Sequence, residues 1–462
     1  MNEWIKISDT EDGAQLPPWD DGTIRRRTRS GSSNTDPDTD DEGGSRLNLF
    51  AGDKLLWTII AVLATVSLLV VYSSTAKMTY NAYGGSANYL QKQVVMLIIG
   101  AVLLFITHRI NCRFYMRFAW LFYGAALAMT FATYFIGSSA NGAARWISIL
   151  GFRFQPSEAL KVATVILLAR QLAVRQPKID KLKLIPSLRP SAWRTAEQRK
   201  IRREGTYPIL LPVLGACAVI FPAHFSSTLI VFAASLVMML IGRVNIRELG
   251  KLTGLLAGVV LLAMTLNLGR SSTASGRVGT WVESWQSSYD PEHPTPPDKL
   301  SDTERAMIAV HNGGMFGEGA GRSVMRVAIT HPESDYAYAF FIEEYGLIMG
   351  VILMMLYLWI FFRAIEIFRR CGTAFPGLLV LGLALLITCQ ALLHIAVTVN
   401  FLPETGQNLP LISHGGSSMF FTAIALGMIL SVSRQNEENS HTAPRQESIL
   451  ENSKFKIQNS KS

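Results

Sequence analysis

Residues 331–346 read HPESDYAYAFFIEEYG, and the apolar run that begins at Tyr336 continues to Phe362. Two acids, Glu333 and Asp335, stand just before the run, and two more, Glu343 and Glu344, lie inside it. A carboxylate placed in a bilayer costs on the order of 2.5–3.5 kcal/mol on insertion scales, so each of these acids must be paired, hydrated or used. Glu343 lies eight residues beyond Asp335, roughly 12 Å deeper at the helical rise, too far for the two to share a proton. Glu343 and Glu344 therefore read as buried polar partners, and Asp335 as the acid at the mouth.

The rest of the chain places that run in a membrane. Of 462 residues, 49% are hydrophobic and only 17% charged, and the apolar residues fall in long uncharged blocks, the mark of a polytopic membrane protein. Ten blocks are present: Leu55–Tyr72, Val94–Thr107, Phe114–Ile136, Ala159–Ala173, Tyr207–Phe221, Ser227–Ile241, Leu249–Leu268, Tyr336–Phe362, Phe375–Val399 and Ser418–Ser433. The expected fold is an all-α integral membrane protein of about ten transmembrane helices in residues 51–434. Residues 1–50 and 435–462 are expected to be disordered cytoplasmic tails.

Charge sets the orientation. The segment Arg170–Gly205 holds eleven basic residues against three acids, and His108–Arg113, Gly242–Lys251 and Arg363–Gly372 are also basic. Placing them inside, with both termini, satisfies the positive-inside rule. The net charge of +9 is thereby a matter of topology and not of nucleic-acid binding. Cys112, Cys217, Cys371 and Cys389 form no CxxC pair, so neither a disulfide framework nor a zinc site is expected.

The outward face then carries residues 269–334 between helices 7 and 8, a loop too long for a compact bundle unless it has a task. It contains Trp281, Trp285 and the glycine-rich HNGGMFGEGAGRS. GEGAGRS lacks the P-loop lysine; a flexible segment is the first reading, and amides beside Arg322 and Arg326 that hold a lipid diphosphate the second. Further up the chain, ARWISILGFRFQPSEALK sets Arg145, Arg153, Gln155, Glu158 and Lys161 at the membrane edge. One or two such residues anchor a helix, and Glu158 and Lys161 at i and i+3 can neutralise each other. Five together suit an anionic headgroup.

ARWISILGFRFQPSEALK, HPESDYAYAFFIEEYG and LPLISHGGSS, in this order, closely resemble the shape, elongation, division and sporulation (SEDS) family of membrane proteins, of the FtsW/RodA type. The resemblance spans Leu55 to Arg434 and implies a peptidoglycan glycosyltransferase that polymerises lipid II. It also implies a class B penicillin-binding transpeptidase and other divisome membrane proteins as partners, with membrane lipid around them, in the bacterial inner membrane. The family's essential acid falls on Asp335 and its GGSS motif on Gly415–Ser418. Ser413, His414, Gly415, Gly416 and Ser417 are thus expected at the substrate, with Gln155, Glu158 and Lys161 of the QPSE region. His224 of PAHFSST stands where the family usually has an aspartate. The long amino tail and the ending ILSVSR favour the division type over elongation; a flippase or a scaffold without catalysis is the alternative.

The implied chemistry can be assigned to residues. Polymerisation with inversion needs one general base for the acceptor 4-hydroxyl, unlike the paired carboxylates of most glycosidases. Asp335 fits that role, and Glu333 would tune the loop around it. The leaving diphosphate needs cations, drawn from Arg145, Lys161, Arg277 or a divalent ion, Mg or Mn, bound with the substrate. A helix N-cap is the bland reading of Asp335.

Overall fold

A computed structural model describes residues 50–75, 85–140, 143–149, 152–176, 179, 202–265, 271–286, 300–325, 328–329, 334–413 and 416–459. Its elements in chain order are α1 (Lys54–Thr75), α2 (Gly85–Arg109), α3 (Cys112–Ile136), β1 (Ser138–Ala140), β2 (Ala143–Ile149), β3 (Phe152–Phe154) and α4 (Pro156–Arg175). A π-helical turn, Arg202–Thr206, leads into α5 (Tyr207–Ile220), α6 (Phe225–Ile241), α7 (Ile246–Thr265), α8 (Ser271–Gln286) and α9 (Asp302–Gly313). The chain closes with α10 (Ala337–Arg369), α11 (Ala374–Thr398) and α12 (Ser417–Asn459).

Within the described residues, each of the ten apolar blocks falls on one of these helices. Among the described residues six are long and apolar enough to cross a membrane: α1, α2, α3, α10, α11 and the first part of α12. α5 and α6 are short, at 14 and 17 residues, and α4 carries Glu158, Lys161, Arg170 and Arg175. The chain is a multi-span membrane protein in which α11, buried along most of its length, is the central pillar. Helix α10 packs along it, α4 crosses it, α3 lies on α4, and α2 runs against α12.

Three features depart from the sequence reading. The α-helical fold carries a small antiparallel sheet, in which Ser138–Ala140, Ala143–Ile149 and Phe152–Phe154 pair with Ser138 opposite Trp146 and Ser148 opposite Arg153. The strand residues read as lying at the membrane edge thus pair backbone groups in a ladder just before α4. The segment 269–334 contains two helices, α8 and α9. The second opens with a capping box in which Ser301 and Glu304 satisfy each other's backbone amides, a pattern legible in the string SDTE. Lastly, α12 continues beyond Arg434 to Asn459. Arg434 pairs with Glu438, and Gln435 donates to Ser431; extending an existing helix avoids the nucleation cost.

The local event that shapes the mouth is a break in α10 at Gly346, where φ is 85° and ψ 167°. Such a break inside a membrane protein strands carbonyls that must find donors. Here the glycine-rich loop supplies them: Glu318 N donates to Glu343 O at 2.9 Å and Gly319 N to Glu344 O at 3.0 Å, while Leu347 N reaches back to Gly314 O at 2.9 Å. The approach is so close that a Cβ on Gly346 would lie 2.4 Å from Met315 O, and one on Gly317 2.3 Å from Glu344 O. Glycine is required at both by contact and by positive φ.

Candidate functional site

The two acids inside the opening stretch are accounted for by the same loop. Glu343, with no exposed surface, accepts from Val324 N at 3.0 Å, Met325 N at 3.2 Å and the Ser323 hydroxyl. Glu344 Oε1 accepts from Ser73 Oγ of α1 at 2.5 Å and Gly321 N at 2.9 Å. The amides read as a cradle for a lipid diphosphate are committed within the protein, Glu318 N and Gly319 N to backbone carbonyls of α10 and Gly321 N to the Glu344 carboxylate. This part of GEGAGRS is a clasp on the broken helix, an amide nest whose anion is built in.

Asp335 lies in the turn 334–336, half-buried, directly ahead of α10. The N-cap position of α10 is Tyr336, whose own side chain makes no cap hydrogen bond, so Asp335 stands one residue ahead of the cap. The turn is held from both flanks. Ser334 O accepts from Ser413 Oγ at 2.8 Å, and the Tyr336 hydroxyl lies 3.1 Å from both Thr303 Oγ1 and Glu404 Oε1.

The second group of predicted residues forms around the start of α4. Proline at the first turn preorganises the helix, which puts Glu158 and Lys161 on one face. Lys161, 1% exposed, sends Nζ to Glu158 Oε1 at 2.8 Å and to Gln390 Oε1 at 3.0 Å. A buried ammonium is expensive without partners, and here an anion and an amide supply them. Glu158, Lys161 and Gln390, with Phe421 and Thr422, line a small cavity of about 10 Å³, the room of a single water. Gln155 is buried; its Nε2 donates to Ser157 Oγ at 3.0 Å and its backbone N to Ser417 Oγ at 3.0 Å.

The α11–α12 loop joins the two groups. Ser413 holds the Asp335 turn, four residues before Ser417 holds Gln155. The loop is pinned along its length: Gln390 Nε2 donates to Asn408 O, Tyr357 Oη to Pro410 O, Ser67 Oγ to Ile412 O, and Gln407 Nε2 to Ser226 and Ser227. The two serines follow His224, which is buried at the N-cap of α6, so the PAHFSST departure from the family pattern stands beside this loop. From α8, Arg277 Nη1 donates to Glu404 O at 3.3 Å. Gly416 takes a φ of 51° and Ser417 opens α12.

Not all predicted residues enter this account. Arg145 is a residue of β2; Glu333, His414 and Gly415 lie outside the described residues. Gln390, Glu404, Tyr336 and Thr303 were not anticipated. Glu404 was the most accessible of them, an acid in a Gly- and Pro-rich loop; Gln390 gave no local signal within an apolar helix. Among the described residues no group of three His, Cys, Asp or Glu side chains could hold a metal ion.

Residues 53–438 match the FTSW_RODA_SPOVE family, described as "Cell cycle protein", and the chain belongs to that family. A "Probable peptidoglycan glycosyltransferase FtsW" of Coxiella burnetii is 26% identical over 389 residues, 82% of this chain and 96% of the relative. The protein of the same name in Caulobacter vibrioides is 29% identical over 391 residues, 83% of this chain and 89% of the relative. Among solved structures, one described as "Structural coordination of polymerization and crosslinking by a peptidoglycan synthase complex" aligns with a TM-score of 0.60 at 22% identity, covering 84% of this chain and 98% of that one. Rod shape determining protein RodA of Thermus thermophilus aligns with 0.57 at 21%, covering 84% and 99%. At these identities the structural likeness establishes the fold alone.

Proposed function

We propose that this chain is an inverting peptidoglycan glycosyltransferase that polymerises lipid II in the bacterial inner membrane during division, with Asp335 as its general base. The observation that carries the reading is the α11–α12 loop, which fixes the Asp335 turn through Ser413 and the Gln155 segment through Ser417. One acid at the mouth and one buried cation beside a cavity are thereby held in a single framework. The FtsW name of the relatives supports the division role.

In the step so assigned, Asp335 accepts the proton of the acceptor 4-hydroxyl as that oxygen bonds to the anomeric carbon of the donor sugar. The bond from that carbon to the undecaprenyl diphosphate breaks, and the diphosphate leaves with the electron pair. Negative charge grows on the leaving group, where Lys161, with Gln390 keeping its ammonium oriented, offers a fixed positive charge in a site of low dielectric. Arg277 and Arg145 are further candidates for the same anion. A divalent cation would arrive on the diphosphate oxygens, since the described residues build no cage for it.

The distribution of Lys and Arg supports both termini inside and the Asp335 mouth outside. Recruitment of a class B penicillin-binding transpeptidase is part of the proposal, since the structural neighbour above is a synthase complex. The test is turnover of lipid II by the purified full-length chain in lipid nanodiscs, with and without the transpeptidase. Wild type should yield glycan strands, and Asp335→Asn should lose roughly 10²–10⁴-fold in rate with an unchanged melting temperature. Asp335→Asn polymerising at the wild-type rate would remove the base assignment, and translocation of lipid II without polymer would favour a flippase.

A further inference from the structure

The turn carrying Asp335 is held by one contact set that the proposed step leaves unused. Tyr336 is 2% exposed, and a phenylalanine ring would fill the same space. The hydroxyl is nevertheless placed between two groups from separate elements, Thr303 Oγ1 of α9 and Glu404 Oε1 of the α11–α12 loop, each at 3.1 Å. The Glu404 carboxylate oxygen can only accept, so the Tyr336 hydroxyl is the donor of that contact. Glu404 is itself tied to α8 through its carbonyl and Arg277.

The position of this contact gives it consequence. Asp335 lies outside the hydrogen-bonded helix, so α10 alone does not fix its backbone. Its preceding neighbour is fixed through Ser334 O by Ser413, and its following neighbour by the Tyr336 hydroxyl. A base misplaced by about 1 Å can cost on the order of 10²-fold in rate. Resting on the reading that Asp335 is the base, we propose that Tyr336 is a positioning residue: its hydroxyl, clamped between Glu404 and Thr303, sets the Asp335 carboxylate against the acceptor hydroxyl without touching substrate.

Packing alone would require only the ring, so the hydroxyl can be tested separately. In full-length protein in nanodiscs supplied with lipid II, Tyr336→Phe should lower kcat roughly tenfold, the equivalent of one hydrogen bond, with KM and melting temperature unchanged. Glu404→Ala should do the same. Glu404→Gln, whose amide oxygen still accepts, should restore most of kcat, and the double variant Tyr336→Phe/Glu404→Ala should be no slower than either single one. Wild-type kcat for Tyr336→Phe, in preparations where Asp335→Asn is inactive, would overturn the inference and leave the base in place. A fall in kcat, KM and melting temperature together, with Glu404→Gln as poor as Glu404→Ala, would reduce the contact to packing and overturn it as well. Full turnover by Asp335→Asn would instead remove the base assignment on which the inference rests.

Discussion

Two ion pairs anchor opposite ends of the bundle, and they are built differently. Away from the mouth, Arg363 of α10 grips Asp53 with Nε at 2.9 Å and Nη2 at 2.5 Å. Asp53 Oδ1 also caps α1, accepting from Leu55 N at 3.0 Å and Leu56 N at 3.1 Å, and its backbone N donates to Ser433 Oγ. Beside it Gly52 N donates to Glu437, and His108 of α2 meets Ala51 O. The Asp53 carboxylate joins α1 to α10, its backbone and its neighbours tie in α2 and α12, and the remaining Arg363 Nη1 pairs with Glu366 on its own helix. At the mouth, Lys161 and Glu158 are neighbours on one helix, joined to α11 by the single amide of Gln390, and they face a cavity.

The difference separates two uses of buried charge. A guanidinium fork gripped through two nitrogens by a carboxylate that also caps a helix is a structural joint. A lysine held by an i,i+3 partner and one amide keeps its charge in place at the wall of a small cavity with room for a single water. Replacing one member of the joint should therefore damage folding, and neutralising the mouth pair should damage substrate handling.

The largest effect is expected at the joint. Arg363→Met leaves the Asp53 carboxylate without its partner, and removing one half of a buried pair costs about 3–5 kcal/mol. Thermal denaturation in nanodiscs should register that loss, with turnover per folded molecule unchanged. A large loss of turnover in the folded fraction would erase the distinction between the two ends.

Next in size is the double variant Glu158→Gln/Lys161→Met, which removes both mouth charges and orphans neither. Stability should stay near wild type, because replacing a whole buried pair is often neutral. Lipid II affinity should fall about 10- to 100-fold, the range of one or two charge-assisted contacts, as measured by titration of labelled lipid II. Unchanged affinity would return the pair to a structural role like that of Arg363 and Asp53. The smallest effect is expected for Gln390→Leu, which removes one acceptor from Lys161 and the donor to Asn408 O. A stability loss of about 1–3 kcal/mol from the unpaired groups should accompany only a few-fold weakening of lipid II binding. If Gln390→Leu bound as weakly as the double variant, orientation of Lys161 would outweigh its charge.

These contrasts also mark what sequence alone conveyed. All ten apolar blocks became helices, because a segment in lipid must satisfy its backbone within itself, so the signal is local and strong. Asp335 was legible as an acid at the mouth for the same reason, as were Glu158 and Lys161 as neighbours on a turn of helix. The capping box at Ser301 and the strands around Trp146 are also written locally, but on a length scale of a few residues within a polar stretch, below that of the apolar blocks. Tertiary structure decided the rest. That Gly346 breaks α10, that Glu343 and Glu344 fill the amide nest of a glycine-rich loop, and that Lys161 turns to Gln390 and Tyr336 to Glu404 depends on partners distant in the chain. Ser73 and Glu344 are 271 residues apart, and Lys161 and Gln390 are 229 apart. A hydrogen bond requires a donor and acceptor within about 3 Å in space, a condition that hydrophobic periodicity leaves open and only the packed bundle meets.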